Sequence, residues 1–213
     1  MSFKKELQEK LGEHNPTEVD ELILDDLFEN IQTFTDDHKK SLELYKNLLH
    51  ISLNGFGLTS LKNFPRIETL QVLQIRQNKL TGTDFGEIQK LYPNLEKLKV
   101  GENEIKSLDV FKTFITSSLK KLELLDNPVS NNETYRDELF KTLKNVEVID
   151  KLNREGDEVD STLYDDEEGE EYDDDYGDDD GEDFEDAEDF EDDEDEDEDE
   201  EEMPKNNKKQ RRE

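Results

Sequence analysis

Between Leu70 and Val129 one short template recurs three times: an apolar residue at the first, fourth and sixth positions, Asn at the ninth and an apolar residue at the eleventh. The copies read Leu70, Leu73, Ile75, Asn78, Leu80; then Leu95, Leu98, Val100, Asn103, Ile105; then Leu119, Leu122, Leu124, Asn127, Val129. Their starts lie 25 and 24 residues apart. Positions four and six alternate onto one face of a short strand, the Asn side chain serves backbone groups in the turn that leaves it, and the next apolar residue points back inward. A unit this small cannot bury its own apolar face, so the copies must stack. Amphipathic helices also place leucines three and four apart, but helical periodicity does not account for three Asn residues in register.

The spacing is the leucine-rich-repeat period. Less regular copies precede the three complete ones. Leu48, Ile51 and Leu53 are followed by Gly57 near the place of the Asn and then by Leu58 and Leu61. Val19, Leu22 and Leu24 are followed by Leu27 and by a longer segment containing Leu42 and Leu44. About five copies give an α/β solenoid with a parallel concave sheet, whose ends need covers. Ser2 is placed to cap a helix reaching Leu11, with Phe3, Leu7 and Leu11 on one face and Gly12 as its stop. At the other end, the residues from Tyr135 to Asp150 read as a helix carrying Tyr135, Leu139, Phe140 and Leu143, then a short strand at Val146, Val148 and Ile149. The capped repeat domain is expected over residues 1–154, followed by a disordered acidic tail at 155–203 and a basic cluster at 204–213.

Parallel strands of such a solenoid line a concave face, the usual docking surface. Template positions three, five and seven should face it. In chain order these are Glu21, Ile23 and Asp25; His50, Ser52 and Asn54; Val72, Gln74 and Arg76; Lys97, Lys99 and Gly101; Lys121, Glu123 and Leu125. The candidate partner-binding residues are His50, Asn54, Gln74, Arg76, Lys97, Lys99, Lys121 and Glu123, on a face that starts acidic and ends basic. Such a face suits an acidic partner, or the chain's own tail.

Charge divides the chain in two. From Glu155 to Glu213 there are 35 acidic residues against 5 basic ones, a net −30 of the total −34. A stretch such as Glu191 to Glu202 has no apolar side chain, cannot offset the entropy of ordering, and repels itself. It is expected to seek cations. No calcium loop is spelled out, because Tyr164, Tyr172 and Tyr176 occupy the first-ligand position five residues before Gly169, Gly177 and Gly181. A Lys- and Arg-rich protein such as a core histone is the better match, and direct nucleic-acid binding is not expected of so acidic a chain. Tyr164, Tyr172, Tyr176, Phe184 and Phe190 are candidate anchors, since a ring among carboxylates inserts into an apolar pocket and fixes a register that charge alone does not. The close of the tail reverses sign: Lys205, Lys208, Lys209, Arg211 and Arg212 form a candidate nuclear-localisation cluster. With no secretory signal, no apolar run near 18 residues and no Cys, the chain is expected to work inside the cell, off the membrane and as a monomer.

Catalysis finds no support in the sequence. His14, His38 and His50 lack metal-ligand spacing or a neighbouring nucleophile motif, there is no Gly-rich phosphate loop, and tail carboxylates on an unordered chain hold no fixed separation. No cofactor or metal is expected.

The short N-terminal helix, about five repeats, the cap spelled Tyr135-Arg136, Leu139-Phe140 and Val148-Ile149-Asp150, the acidic tail and the basic close together resemble the acidic leucine-rich nuclear phosphoprotein 32 family. Gly57-Leu58-Thr59-Ser60-Leu61 and Tyr92-Pro93-Asn94-Leu95 carry the same resemblance. It implies a non-enzymatic nuclear and cytoplasmic regulator: a histone chaperone and chromatin or transcription regulator, an inhibitor of protein phosphatase 2A, or an adaptor in messenger RNA export. It also implies phosphorylation near the start of the tail, where Thr162 is followed at plus three by Asp165, with Ser161 the neighbouring candidate. The tail is short for that family and the first repeat irregular. A structural subunit of an RNA–protein particle is a further reading of the repeat number and cap, against which the long tail argues.

Overall fold

Leu22, Ile51, Leu73, Leu98, Leu122 and Ile149 stand in one row across six parallel strands, each residue opposite its counterpart in the next repeat. The strands are β1 (Glu21–Ile23), β2 (His50–Ser52), β3 (Val72–Gln74), β4 (Lys97–Lys99), β5 (Lys121–Glu123) and β6 (Val148–Ile149), ordered in the sheet as in the chain. They come from a computed structural model that describes residues 2–28, 30–114 and 117–159. The inward row is buried together with position six, where Leu24, Leu53, Ile75, Val100 and Leu124 are almost fully enclosed. A solenoid of this kind keeps its core continuous because each repeat contributes only a slice of it.

The template Asn residues bind one repeat to the next. Asn103 donates from Nδ2 to the carbonyls of Ile75, Val100 and Gly101, and its Oδ1 accepts from the Leu80 amide. Asn78 links Leu53 O and Arg76 O to the Leu58 amide, and Asn127 links Val100 O, Leu124 O and Leu125 O to the Ile105 amide. The residue before each of them takes a left-handed turn: φ is 54° at Gln77, 54° at Glu102 and 57° at Asp126, and the earlier repeats do the same at Asp26 and Gly55. This conformation costs an L-residue roughly 1–2 kcal/mol. It swings position nine inward while the backbone N–H reaches the following repeat, as from Gln77 to Gly101 O. At Gly55, where φ is 73°, a Cβ would stand 2.2 Å from Asp26 Oδ1, so any side chain would be strained and would have to displace that carboxylate.

Position nine of the second repeat is Phe56, not the neighbouring Gly57, and it is fully buried. The expectation of Gly57 in the Asn place is therefore corrected. Here aromatic packing replaces the polar ladder: Phe56 lies 5.8 Å from Phe28 and 6.3 Å from Phe34, which in turn stacks on Phe64 at 4.7 Å. Phe28 then meets Phe3 of the first helix at 4.9 Å, joining the cap to the core.

Helix α1 (Phe3–Leu11) covers the first repeat with Phe3 and Leu7 buried, but Leu11 is 37% exposed and does not share the buried face. Ser2 makes no side-chain cap either. Its place is taken by Asp37 at the start of α2 (Asp36–Leu42), whose Oδ2 accepts from the Phe3 amide at 2.6 Å. The longer first repeat thus supplies an anion to the first helix's N-terminus, a contact that local sequence does not show. Within the same segment Leu42 is buried, whereas Leu44 is exposed. The convex side carries α3 (Phe85–Leu91) and two 3-10 segments, Leu108–Phe114 and Pro128–Asn131.

The far cap is α4 (Tyr135–Thr142) followed by β6. Asp150 organises it. Its Oδ1 accepts from the Leu124 and Leu125 amides, and Oδ2 accepts from the Tyr135 hydroxyl. Burial pushes the Asp150 carboxyl above the usual carboxylate range, while these donors and the nearby Arg136 pull the other way. Beyond it, Arg154 donates to the carbonyls of Phe140, Leu143, Lys144 and Val146 and lies 4.9 Å over the Phe140 ring. The chain then turns back through bridges Ile149 to Leu152 and Leu152 to Glu158, and the Val159 amide donates to Lys151 O. Ordered pairing thus runs to residue 159, beyond the 154 at which composition changes.

Candidate functional site: the concave face

Two rows of side chains cross the concave face. The first aligns Glu21, His50, Val72, Lys97 and Lys121, and the second aligns Ile23, Ser52, Gln74, Lys99 and Glu123. Residues that alternate outward on successive strands meet only through parallel pairing, so repeats 22 to 29 residues apart in sequence build a single surface.

Its first half is a closed polar network. Glu21 Oε1 sits 2.6 Å from His50 Nδ1, and Gln74 Nε2 is 2.7 Å from His50 Nε2, an arrangement that fits a ring donating to Glu21 and accepting from Gln74. Asp25 accepts from Ser52 Oγ, from the Asn54 amide and from Asn54 Nδ2, and Asn54 Oδ1 in turn accepts from the Arg76 amide. Ser52 and Gln74 are 1% and 3% exposed, so these two concave positions serve packing and pairing more than solvent. Ile23 and Leu125, by contrast, present apolar side chains to solvent at the two ends of the face.

The second half is cationic. Lys97 and Lys121 are direct cross-strand partners, Lys99 lies two residues along on the same face, and Lys151 joins them from the turn after β6. Arg76, grouped with these lysines by sequence, pairs with Glu123, which reaches it across β4 to form an ion pair. Gly101 makes this crossing feasible, since a Cβ there would lie 2.9 Å from Glu123 Oε1. Among the described residues lining the cavity, the carboxylates are Glu123, committed to Arg76, and Asp150, whose side chain is wholly enclosed. Val148 and Val159 add apolar wall. Lys151 and Val159 were not among the sequence candidates. Neither sits in a repeat template, and only the turn back after Asp150 brings them to this face.

The remaining histidines have structural roles. His14 bonds the Tyr45 hydroxyl at 2.6 Å, and His38 Nδ1 accepts from the Thr35 amide at the start of α2. Burial lowers the His38 pKa, which keeps that nitrogen available as an acceptor. Among the described residues no three His, Asp or Glu side chains gather into a set able to hold a metal, and no helix is long and apolar enough to cross a membrane. The tail candidates Tyr164, Tyr172, Tyr176, Phe184 and Phe190, the phosphorylation candidates Ser161 and Thr162, and the basic cluster Lys205, Lys208, Lys209, Arg211 and Arg212 lie outside the described residues.

The sequence profile of the leucine-rich-repeat family matches residues 44–172, more than half of the chain. The chain belongs to the leucine-rich-repeat family. A curated relative, the acidic leucine-rich nuclear phosphoprotein 32-related protein of Plasmodium falciparum (isolate 3D7), is 35% identical over 103 residues, or 48% of this chain. The resemblance read from the repeats, cap and tail thus finds a homologue of that name. This chain spans only 36% of that relative's length. Among solved leucine-rich-repeat structures, the Drosophila melanogaster SNF/U2A′ complex is similar at a TM-score of 0.44 and 20% identity, covering 55% of this chain and 64% of that one. The Chaetomium Mex67:Mtr2 subunits are similar at 0.42 and 17%, covering 74% and 92%. Similarity at this level says nothing of what this chain binds.

Proposed function

We propose that this leucine-rich-repeat protein is a non-enzymatic nuclear chaperone for core histones, with the acidic segment after residue 159 shielding their basic surface and the repeat domain choosing the context. The observation that carries this reading is the segregation of charge: a net −30 over Glu155 to Glu213 beside 154 residues that carry only −4. Such a polyanion attracts Lys- and Arg-rich surfaces at long range, and interspersed rings supply the contact that charge lacks. The nuclear assignment is supported by the relative's name and by the basic cluster that closes the chain.

The test is core-histone binding at physiological salt by three proteins: the full chain, residues 1–159, and the full chain with Tyr164, Tyr172, Tyr176, Phe184 and Phe190 all changed to Ser. Truncation is made at 159, because a cut at 154 removes the pairing that closes the cap. The chaperone reading expects binding to vanish on truncation and to weaken in the aromatic variant. Undiminished binding by residues 1–159 would move the function to the repeat domain. The concave lysine cluster then favours the second reading, an enzyme regulator such as a phosphatase inhibitor that docks through that face.

A further inference from the structure

We propose that the open edge of β1 is a docking site for an extended Lys- and Arg-rich segment of a partner protein, which adds to the sheet as a further strand beside residues 21–25.

The two ends of the sheet are finished differently. In a strand the N–H and C=O of one residue point to one side and those of the next residue to the other. At β6 the Val148 and Asp150 amides donate to Lys120 O and Leu122 O, so Ile149 points outward, where Leu152 exchanges both backbone hydrogen bonds with it. At β1 the pairing with the second repeat also runs through alternate residues. Asp20 O accepts from the His50 amide, the Leu24 amide donates to Ser52 O and the Asp26 amide donates to Asn54 O. Glu21, Ile23 and Asp25 therefore turn their backbone groups away from β2, and among the described residues no hydrogen bond reaches those groups. An edge of this kind is a template for strand addition.

The side chains select the occupant. Ile23 is 44% exposed between Glu21 and Asp25 on the concave side. From Glu18 to Asp26 there are five acids and no base, and no Lys or Arg pairs with any of the five among the described residues. Asp25 is held by Ser52 and Asn54, which are neutral donors, and Glu21 by the His50 ring, so both carboxylates are hydrogen-bonded without a Lys or Arg to cancel their charge. A strand carrying basic, apolar and basic residues at every second position sets cations beside Glu21 and Asp25 and an apolar side chain beside Ile23, while its backbone takes the outward groups. A second copy of this chain fits badly. Antiparallel pairing centred on Ile23 sets Glu21 opposite Asp25, and parallel pairing in register sets each carboxylate opposite its twin, and like charges directly opposite repel. The same carboxylates that oppose self-association thus favour a basic partner. This contact belongs to the repeat domain and does not depend on the chaperone reading, in which the acidic segment meets the partner.

The probe is the peptide Lys-Thr-Lys-Thr-Val-Thr-Lys-Thr-Lys, added to the isotope-labelled full chain, with amide hydrogen exchange read residue by residue. A control peptide has the same side chains and charge but N-methylated internal amides, which bars strand pairing on either edge. Both peptides are drawn to the acidic segment, so the difference between them reports the edge. Without peptide, Leu22 and Leu24 should exchange slowly and Glu21 and Ile23 fast. Free peptide at ten times its Kd should slow Glu21 and Ile23 about tenfold, and the control should slow neither. Ile23→Pro removes an outward N–H that the fold does not use, which an edge strand tolerates, and should abolish the slowing at Glu21. Glu21→Lys changes an exposed side chain and should raise the peptide Kd about fivefold, which keeps the test intact if Ile23→Pro fails to fold. Glu21 and Ile23 amides as slow as Leu22 without peptide would show an edge already covered, and equal slowing by the control would show charge attraction alone. Either result overturns the proposal, as does peptide-free protection that rises with protein concentration, which assigns the edge to a second copy. Slowing at β1 without histone binding would leave this inference standing and remove only the chaperone reading. Histone binding lost on truncation at 159, with no slowing at β1, would do the reverse.

Discussion

Replacing Asn103 with Ala should be among the most damaging changes to a side chain that is not itself apolar. The side chain is buried and joins four backbone groups from two successive repeats. Not all four are orphaned by its removal. Val100 O keeps Asn127 Nδ2 as donor, and Gly101 O keeps the Gln77 N–H. The Leu80 amide loses the acceptor that holds it and Ile75 O loses Asn103 Nδ2, both in a buried strip between repeats. At about 1–3 kcal/mol for each buried group left unsatisfied, the expected loss is about 3 kcal/mol. In a domain of this size that corresponds to a fall in Tm of roughly 6–12 °C. Urea unfolding followed by circular dichroism measures the first quantity and thermal unfolding the second. Asn94→Ala removes one exposed bond to Glu68 O and is the matched control, expected to cost below about 1 kcal/mol. If Asn103→Ala costs no more than the control, relaxation or water serves the Leu80 amide and the ladder is not what holds the repeats in register.

Three further changes probe the caps and the irregular repeat. Phe56→Asn restores the template residue but vacates a ring packed against Phe28 and Phe34, and should cost about 3–5 kcal/mol in urea unfolding. Arg154→Ala strips four carbonyls at and just beyond the C-terminal end of α4 of their donor, and with the guanidinium partly in solvent it should cost about 1–2 kcal/mol, read by the same method on the full chain. For Asp150 the sign follows from its raised pKa. Folding is favoured while the carboxyl is protonated in the native state, and that contribution fades as pH rises from its unfolded value through its higher folded one. Asp150→Asn keeps an acceptor for Leu124 and Leu125 and removes the titration. Its stability relative to wild type should therefore climb as pH rises above about 4, whereas Asp150→Ala should be destabilised across the range. A gap between wild type and Asp150→Asn that stays flat with pH would refute burial as the dominant influence on this carboxyl.

The repeat register was legible because its signal is redundant. Leu73, Leu98 and Leu122 sit at the same template position as their Asn partners demand, and strand pairing then carried Ile51 and Leu22 into line despite weaker templates. Leu11 and Ser2 were misread for the opposite reason. A nine-residue amphipathic helix fits several rotations, and the one adopted depends on Asp37, which lies 34 residues away from Phe3 and holds its N-terminus. Phe56 in place of Asn marks the limit of the template itself. An aromatic ring fills the same volume only because Phe28 and Phe34 from other parts of the first repeat converge on it.

The sequence alone determined the solenoid, the template positions that face its concave side, and the division of charge between the repeats and the acidic segment, since all three depend on short-period patterns or on composition. Tertiary structure decided which of those concave residues act together. Arg76 pairs with Glu123 across 47 residues because Gly101 leaves room between them, and Lys151 and Val159 join the lysine pocket because the chain turns back after Asp150. Such contacts arise from the stacking of repeats and the closing of their last edge, where distance in space has no fixed relation to distance along the chain.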